Sequence, residues 1–447
     1  MTATSRRAGN LLLGALALAL VLLWALPADA LRIKEVTSPK GIKGWLIQDA
    51  TVPLFTMNFA FRGAAALDPV GKEGLAEFVS SLLDEGAGDL GAQAFQARLE
   101  NNSIAMRFGA GADYFSGSIR ALVEYRPLAT DLLRMALSAP RFDPEPVARI
   151  RDQYLSSVRR RVERPGYTAR HAWKVAVFKD HPYGRELDGT EASLKAIGVS
   201  DLKQFVAKRF ARDVLVVAAV GDIDEAAFGQ MMDRAFGDLP ARAAPASLPE
   251  AKIGGAGKII VTQRDFPQSV AVFGHGGIKR KHPDYYAALI VNYVLGGGGL
   301  TSRLATEIRE KRGLAYSVYS RLVTMEHAGI ITGRVATANA RIAESLALIR
   351  QLWAKIAKDG ITAEELSDTK SYLTGSFFTR LNSTRRIARL LVGIQLQDLG
   401  IDYLDRRNRL INAVTLDQTR RVAARLFKPG DLTISVVGRP KGVVSRP

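Results

Sequence analysis

The spacing of apolar and polar residues predicts strands and helices that alternate irregularly along most of the chain. Leu54–Phe61 has the apolar and aromatic content of a half-buried strand, and residues 103–122 alternate as a hairpin. A further strand is predicted at Val214–Val220. Apolar residues at helical spacing predict helices at 74–83, 92–100, 127–138 and 144–163, with further helix up to Phe210.

The second half of the chain repeats the first. Val206–Phe210, a strand and Gly221 correspond to Val422–Phe427, a strand and Gly438, and the Phe210/Phe427 and Gly221/Gly438 pairs are each 217 residues apart. A repeat of this length indicates two copies of one domain. Because the strands and long helices do not alternate strictly, we expect an α+β fold in which each domain is a mainly antiparallel sheet covered by helices on one side.

A linker and a targeting segment complete the predicted organisation. Residues 239–257 are rich in proline, alanine and glycine and show no periodicity, so we interpret them as a linker between domains at 31–238 and 258–447. At the N-terminus, Arg6 and Arg7 precede the apolar run of 11–26 and an Ala-x-Ala cleavage signal at 28–30. This pattern predicts a signal peptide over residues 1–30 and a periplasmic location. A retained membrane anchor is the alternative, although the run is short for a span.

Charge narrows the possible partners. The formal net charge is +18, and removal of residues 1–30 would leave +17. Such a chain could bind nucleic acid, an anionic surface or an acidic partner. The basic residues are scattered, however, and the densest run, Arg159–Arg161, lies in a predicted helix without interleaved aromatic residues. We therefore expect no nucleic-acid partner. The absence of cysteine excludes disulfides.

The helix at 74–83 carries the clearest functional signal. Glu77, Ser80 and Ser81 share its polar face. The segment resembles the active-site helix of the pitrilysin/insulinase family of zinc peptidases, in which an inverted His-x-x-Glu-His motif follows a Gly-Leu-Ala-like stretch. In that family the histidines bind zinc, the glutamate activates water, and a glutamate about 76 residues further on is the third ligand. The corresponding residue here is Ser157.

The resemblance therefore implies a degenerate zinc site at Glu77, Ser80, Ser81 and Ser157. Serine hydroxyls and one carboxylate do not replace two imidazoles on Zn²⁺. We expect no metal and no cofactor in this chain, and no peptidase activity from the chain alone. The five histidines lack the spacing of a relocated zinc site, and we expect most of them on the surface or in loops.

In the second half, Arg309 and Tyr316 match an arginine and a tyrosine, seven residues apart, that hold the substrate backbone and stabilise the oxyanion in the family. The alternative is a helix-to-strand junction at which Arg309 pairs with an acid and Tyr316 packs. Before this pair lie Gly296, Gly297, Gly298 and Gly299. The family's glycine-rich loop contacts substrate at this point, although a helix C-cap followed by an N-cap at Thr301 or Ser302 explains the glycines equally well.

The resemblance covers nearly the whole chain after residue 30. It implies the noncatalytic, substrate-binding subunit of an exported heterodimeric zinc peptidase, which supplies Arg309 and Tyr316 to the active site of a catalytic paralogue. Zinc is expected in that partner, and a peptide or unfolded protein is the expected substrate. No stable membrane span is expected after signal cleavage. The alternative is a peptide-binding or assembly protein of the same fold without a role in proteolysis.

Overall fold

The computed structural model describes residues 32–447, of which Glu35–Pro447 form one compact unit. The predicted signal peptide lies outside the described residues. Within residues 32–447, no helix combines the length and the apolar character that crossing a membrane requires.

From residue 32 onwards, the first half of the chain forms a six-stranded sheet and eight α-helices. The strands are β1 Lys34–Thr37, β2 Lys43–Gln48, β3 Leu54–Arg62, β6 Ala105–Ala110, β7 Tyr114–Leu122 and β8 Leu215–Gly221, with a separate short hairpin of β4 Gly86–Ala87 and β5 Leu90–Gly91. The helices are α1 Leu75–Ser80, α2 Ala92–Asn101, α3 Arg126–Ser138, α4 Pro144–Val162, α5 Pro165–Phe178, α6 Glu191–Ala196, α7 Val199–Arg209 and α8 Glu225–Phe236.

The second half forms a five-stranded sheet and six α-helices. The strands are β9 Ile259–Gln263, β10 Gln268–Gly276, β11 Ala315–Thr324, β12 Gly329–Ala338 and β13 Thr433–Gly438. The helices are α9 Tyr285–Asn292, α10 Ile342–Asp359, α11 Ala363–Thr379, α12 Thr384–Leu396, α13 Tyr403–Asn412 and α14 Leu416–Leu426. Two π-helical segments lie between α9 and β11, at Tyr293–Gly297 and Ala305–Glu310.

Apart from the edge strand β1, the two sheets have the same strand order. The first runs β1-β2-β8-β3-β7-β6, and the second, read from its other edge, runs β9-β13-β10-β12-β11. In each sheet the last strand of the half pairs in parallel with a strand from the start of that half, β8 with β2 and β13 with β9. The remaining pairs with described registers are antiparallel. The α+β fold with two homologous, mainly antiparallel halves is thereby confirmed.

The segment between α8 and β9, residues 237–258, contains no helix or strand. It is held to both halves by hydrogen bonds: His181 Nε2 lies 3.0 Å from the carbonyl oxygen of Pro249, and the Ala251 amide donates to the carbonyl of His327 at 2.9 Å. The predicted linker therefore lies along a surface formed by both repeats.

Each sheet is covered on both faces, whereas the sequence pattern predicts helices on one side only. Along β3, Phe55, Met57 and Phe59 are buried in the core of the first half. Thr56 and Asn58 alternate with them and are also buried. Because successive strand residues point to opposite faces, the second face must be covered as well. The expectation of one-sided cover was wrong.

Helices exchanged between the halves provide this second cover. Helix α12 packs on β3 and β8 of the first sheet, and α5 packs on β10 and β13 of the second. Thr384 Oγ1 lies 2.8 Å from Thr56 Oγ1, and the Trp173 indole donates to the carbonyl of Thr433 at 3.1 Å. The helices occupy corresponding positions in the two repeats, so the exchange is reciprocal.

Candidate functional site

Helix α1 begins at a buried carboxylate that sequence analysis did not single out. Asp68 accepts hydrogen bonds from the amides of Gly74 and Ala76 at 3.1 and 3.2 Å. Gly74, with φ of +93°, allows the chain to enter the helix from the left-handed region. Burial outweighs these hydrogen bonds and raises the pKa of Asp68 to about 7. The start of α1 is therefore fixed from inside the first-half core.

The polar side chains of α1 form hydrogen bonds with other groups of the protein. Glu77 accepts from the Ala110 amide at 3.2 Å and from the Tyr154 hydroxyl at 3.3 Å. The Tyr154 hydroxyl also lies 2.7 Å from Ser81 Oγ, and Ser80 Oγ donates to the Glu77 carbonyl at 2.7 Å. Burial raises the pKa of the Glu77 carboxyl.

The structure brings Glu77, Ser80 and Ser81 together and leaves Ser157 outside. Ser157 is exposed on α4, and the residue of α4 that contacts Glu77 and Ser81 is Tyr154, about one helical turn earlier. Counting residues along the chain thus selected the right helix and the wrong turn. Tyr154, three positions before Ser157, was the feature of the sequence that could have indicated the correct turn.

These residues do not fit a zinc ion. They provide one carboxylate, two serine hydroxyls and a phenol, and the carboxylate oxygens already accept protein hydrogen bonds. Burial also holds the phenol protonated, because it raises the pKa of Tyr154. In residues 32–447, no group of three or more histidines, aspartates or glutamates is arranged to hold a metal ion.

A small polar cavity of about 120 Å³ lies beside this network and is lined in part by Ala110. His171 and Lys174 of α5 face Glu186 and Asp188 of the following loop across it. Burial raises the pKa of Glu186 to about 7 and lowers those of His171 and Lys174. These groups lie about 100 residues from α1, so local spacing gave no signal for them.

The second predicted site is an open cavity of about 260 Å³ in the second half. Gly296, Gly297, Gly299, Arg309 and Tyr316 all line it. The guanidinium carbon of Arg309 lies 5.1 Å from the centre of the Tyr316 ring, a cation–π distance. The structure therefore brings together the arginine, the tyrosine and three of the four glycines.

Gly298, the remaining glycine, and Thr301 and Ser302, the two predicted N-cap residues, lie in the same loop. Gly298 does not line the cavity; its amide donates to the Tyr293 carbonyl at 2.8 Å, and its carbonyl accepts from Thr301 Oγ1 at 3.0 Å. Ser302 Oγ accepts from the Ala305 amide at 3.4 Å, which is compatible with the N-cap interpretation. The loop thus both closes a helical turn and borders the cavity.

The junction alternative for Arg309 and Tyr316 does not fit the contacts. Within residues 32–447, the side chain of Arg309 forms no ion pair and no hydrogen bond, and the nearby Glu307 pairs with Lys311 and Arg312 instead. Tyr316 is 86% exposed and so is not a packing residue. Donors of both side chains remain available at the surface of the cavity.

His275 is an exception to the expectation that most histidines lie on the surface or in loops. It lies in β10, 3% exposed, where the Trp353 indole donates to Nε2 at 3.0 Å and Nδ1 lies 2.7 Å from the Gly276 carbonyl oxygen. Its Nδ1 therefore carries the proton. His181 lies in a loop but is also buried, with Nδ1 accepting from the Tyr183 amide at 3.2 Å.

Comparison with known proteins identifies the family. A family model described as the peptidase M16 inactive domain matches residues 196–373. The crystal structure of a peptidase M16 inactive domain from Pseudomonas fluorescens matches with a TM-score of 0.86 at 27% identity, covering 93% of this chain and 100% of that one. The chain is therefore similar to M16 proteins in sequence and in fold.

Two relatives are similar to the chain over most of its length. A Helicobacter pylori protein named non-peptidase homolog YmxG is 29% identical over 367 residues, covering 80% of this chain and 84% of the relative. The probable mitochondrial-processing peptidase subunit beta of Schizosaccharomyces pombe is 23% identical over 399 residues, covering 83% of each. The resemblance to the pitrilysin/insulinase family is confirmed, and the chain is an inactive M16 homologue.

Proposed function

We propose that this M16 homologue is the noncatalytic, substrate-binding subunit of an exported heterodimeric zinc peptidase, located in the periplasm. In this proposal Arg309 and Tyr316 act in the active site of a catalytic paralogue that carries the zinc. The observation that carries the proposal is the shared cavity of Arg309, Tyr316 and the glycine loop, in which the donors of both side chains have no protein acceptor among the described residues.

The chemistry of the pair suits peptide hydrolysis. A guanidinium offers fixed donors to carbonyl oxygens, and a tyrosine hydroxyl can donate to the oxyanion that develops in the transition state. Arg309 also lies in the last turn of a π-helical segment, Ala305–Glu310, and such segments are frequent at functional sites.

The position of β11 supports a peptide or unfolded-protein substrate. β11 is an edge strand of the second sheet, and Tyr316 and the residues that follow it line the cavity. An extended peptide could add to this edge through main-chain hydrogen bonds, while the cavity receives its side chains. The relative named as subunit beta of a processing peptidase supports a partner subunit.

The test uses the full chain mixed with its catalytic paralogue. We expect a 1:1 complex with peptidase activity that neither chain shows alone. Tyr316→Phe should lower kcat by roughly 10²–10³, the usual cost of one oxyanion donor, without preventing assembly. Tyr372→Phe, at an exposed tyrosine outside this cavity, is the matched control and should leave kcat unchanged.

Two outcomes would contradict the proposal. One is a paralogue that is fully active alone and forms no complex with this chain; peptide binding by the isolated chain would then favour the assembly or peptide-binding function. The other is an assembled complex in which Tyr316→Phe and Tyr372→Phe have the same turnover as the unmodified pair.

A further inference from the structure

A separate cavity of about 380 Å³ lies in the second half, where the segment after β10 approaches α12 and the start of α13. We name it the arginine cavity and define it by Arg280, Arg386, Arg389, Gly393 and Tyr403. Apolar residues complete its lining, namely Leu390, Ile394 and Leu399. No aspartate or glutamate of the described chain is among the lining residues.

Arg280 is held in place by aromatic residues and not by an acid. Its guanidinium carbon lies 4.0 Å from the centre of the Tyr285 ring, and its Nη2 donates to the hydroxyls of Tyr286 and Tyr403 at 3.1 and 2.7 Å. Its Nη1 and Nε have no acceptor within residues 32–447. The Tyr403 hydroxyl accepts from both Arg280 and Tyr286, so its own proton remains free to donate.

Arg386 and Arg389 lie on one face of α12, three positions apart. Arg386 donates to Asn382 Oδ1 at 3.0 Å, and neither arginine forms an ion pair among the described residues. The nearby Asp398 is already paired with Arg62 and Lys281. Arg386 and Arg389 are exposed, so water and salt weaken their mutual repulsion, but three guanidinium groups around one open cavity still favour an anion between them.

Gly393 is a second observation that favours a bound ligand in the arginine cavity. It lies inside α12, where glycine costs up to about 1 kcal/mol relative to alanine. A Cβ built at this position would meet no atom within 4 Å, so packing does not require glycine there. Its effect is to keep the cavity open beside Arg389, one turn away on the same helix face.

We propose that the arginine cavity binds a phosphate group that carries an apolar portion. One bidentate arginine satisfies a carboxylate, whereas a phosphate monoester offers three acceptor oxygens and a charge near −2, and a phosphodiester headgroup offers two such oxygens and a single negative charge; either can bridge several guanidiniums and a tyrosine hydroxyl. Leu390, Ile394 and Leu399 provide the surface for the apolar portion. The ligand is either the headgroup of an anionic phospholipid or a soluble organic phosphate.

The experiment separates these two sources. Calorimetric titration of the full chain with glycerol 3-phosphate, and with hexyl phosphate, which carries an apolar portion, tests the soluble source. Co-sedimentation with phosphatidylglycerol vesicles, and with phosphatidylcholine vesicles for comparison, tests the lipid source at fixed ionic strength. Binding in either arm supports the proposal and assigns the source, and glutarate tests the carboxylate alternative.

Two variants test the residues. Arg389→Gln should weaken binding by roughly 10- to 100-fold, the usual effect of losing a charge-assisted hydrogen bond. Gly393→Leu removes no charge and should block the cavity to a similar degree. Arg385→Gln is the matched control, because it makes the same charge change on the same helix outside the cavity lining, and it should bind like the unmodified chain.

Three results would overturn the proposal: no binding in either arm, equal binding of glutarate and glycerol 3-phosphate, or equal losses from Arg385→Gln and Arg389→Gln. The last result would mean that the excess positive charge alone attracts the anion. None of these measurements uses peptidase activity, so the outcome is independent of the proposed subunit role.

Discussion

Trp173 provides the most direct test of the helix exchange. It belongs to α5 of the first half, is 2% exposed, and packs with Val272 and Val437 of the second-half sheet. Its indole donates to the Thr433 carbonyl in β13. Replacement with alanine therefore removes a buried side chain of one repeat from the surface of the other.

The expected magnitude follows from burial. Truncating a buried tryptophan to alanine typically costs about 3–5 kcal/mol, because apolar contacts are lost and the cavity closes only partly. Trp173→Phe keeps most of the ring and loses the indole hydrogen bond, whose net contribution is about 0.5–1.5 kcal/mol. We expect Trp173→Phe to cost less than half as much as Trp173→Ala. Val175→Ala, at a 45% exposed position on the same helix, should have little effect.

Two measurements are needed. Guanidinium unfolding followed by circular dichroism gives the free energy of unfolding of each variant, and native-state hydrogen exchange shows where protection is lost. We expect Trp173→Ala to accelerate exchange in β10 and β13 as well as in α5. Faster exchange confined to the first half, with β13 unchanged, would refute the view that α5 forms part of the second-half core.

Asp68 predicts a pH dependence: because its folded pKa of about 7 exceeds the unfolded 3.8, its contribution to stability is complete below pH 3.8 and is lost as the pH rises through about 7. Denaturant titrations from pH 4 to 8 should therefore show Asp68→Asn gaining about 2–4 kcal/mol relative to the unmodified chain, and parallel profiles would contradict this. Gly296→Ala should destabilise by roughly 1–3 kcal/mol, because its Cβ would lie 2.6 Å from Leu304 Cδ1 and from the Ser320 amide nitrogen. Gly393→Ala, which has open space, should instead stabilise by up to about 1 kcal/mol, and equal melting temperatures for the two glycine variants would refute the packing argument.

The repeat made most of the fold predictable. The matching strands that end at Gly221 and Gly438 are the parallel-paired β8 and β13, and they occupy the same place in their sheets. The exchange of α5 and α12 was not predictable from periodicity. An apolar strand such as β3 shows that both faces are buried, but it does not show which helix covers each face.

The candidate sites also contain residues that the sequence predicted and residues that it did not. Arg309, Tyr316 and most of the glycine loop were predictable, because they lie within about twenty residues of one another and match a family motif. Tyr154 was missed because counting residues from α1 locates a position in α4 only to within about one helical turn. The arginine cavity was missed because Arg280 and Tyr403 are 123 residues apart and meet only in the folded chain.

The distribution of satisfied and free donors argues that binding resides in the second half. At the former zinc position, Glu77, Ser81 and Tyr154 are hydrogen-bonded to one another, so the network stabilises the contact between α1 and α4 and offers little to a ligand. Around Arg309 and Tyr316 the opposite holds, since protein acceptors are absent among the described residues and the tyrosine is exposed. Water hydrogen-bonds to exposed donors, so leaving them without protein acceptors costs little stability. These donors can bind a ligand without first breaking a protein hydrogen bond, which is the physical reason to seek the function of this M16 homologue at its second repeat.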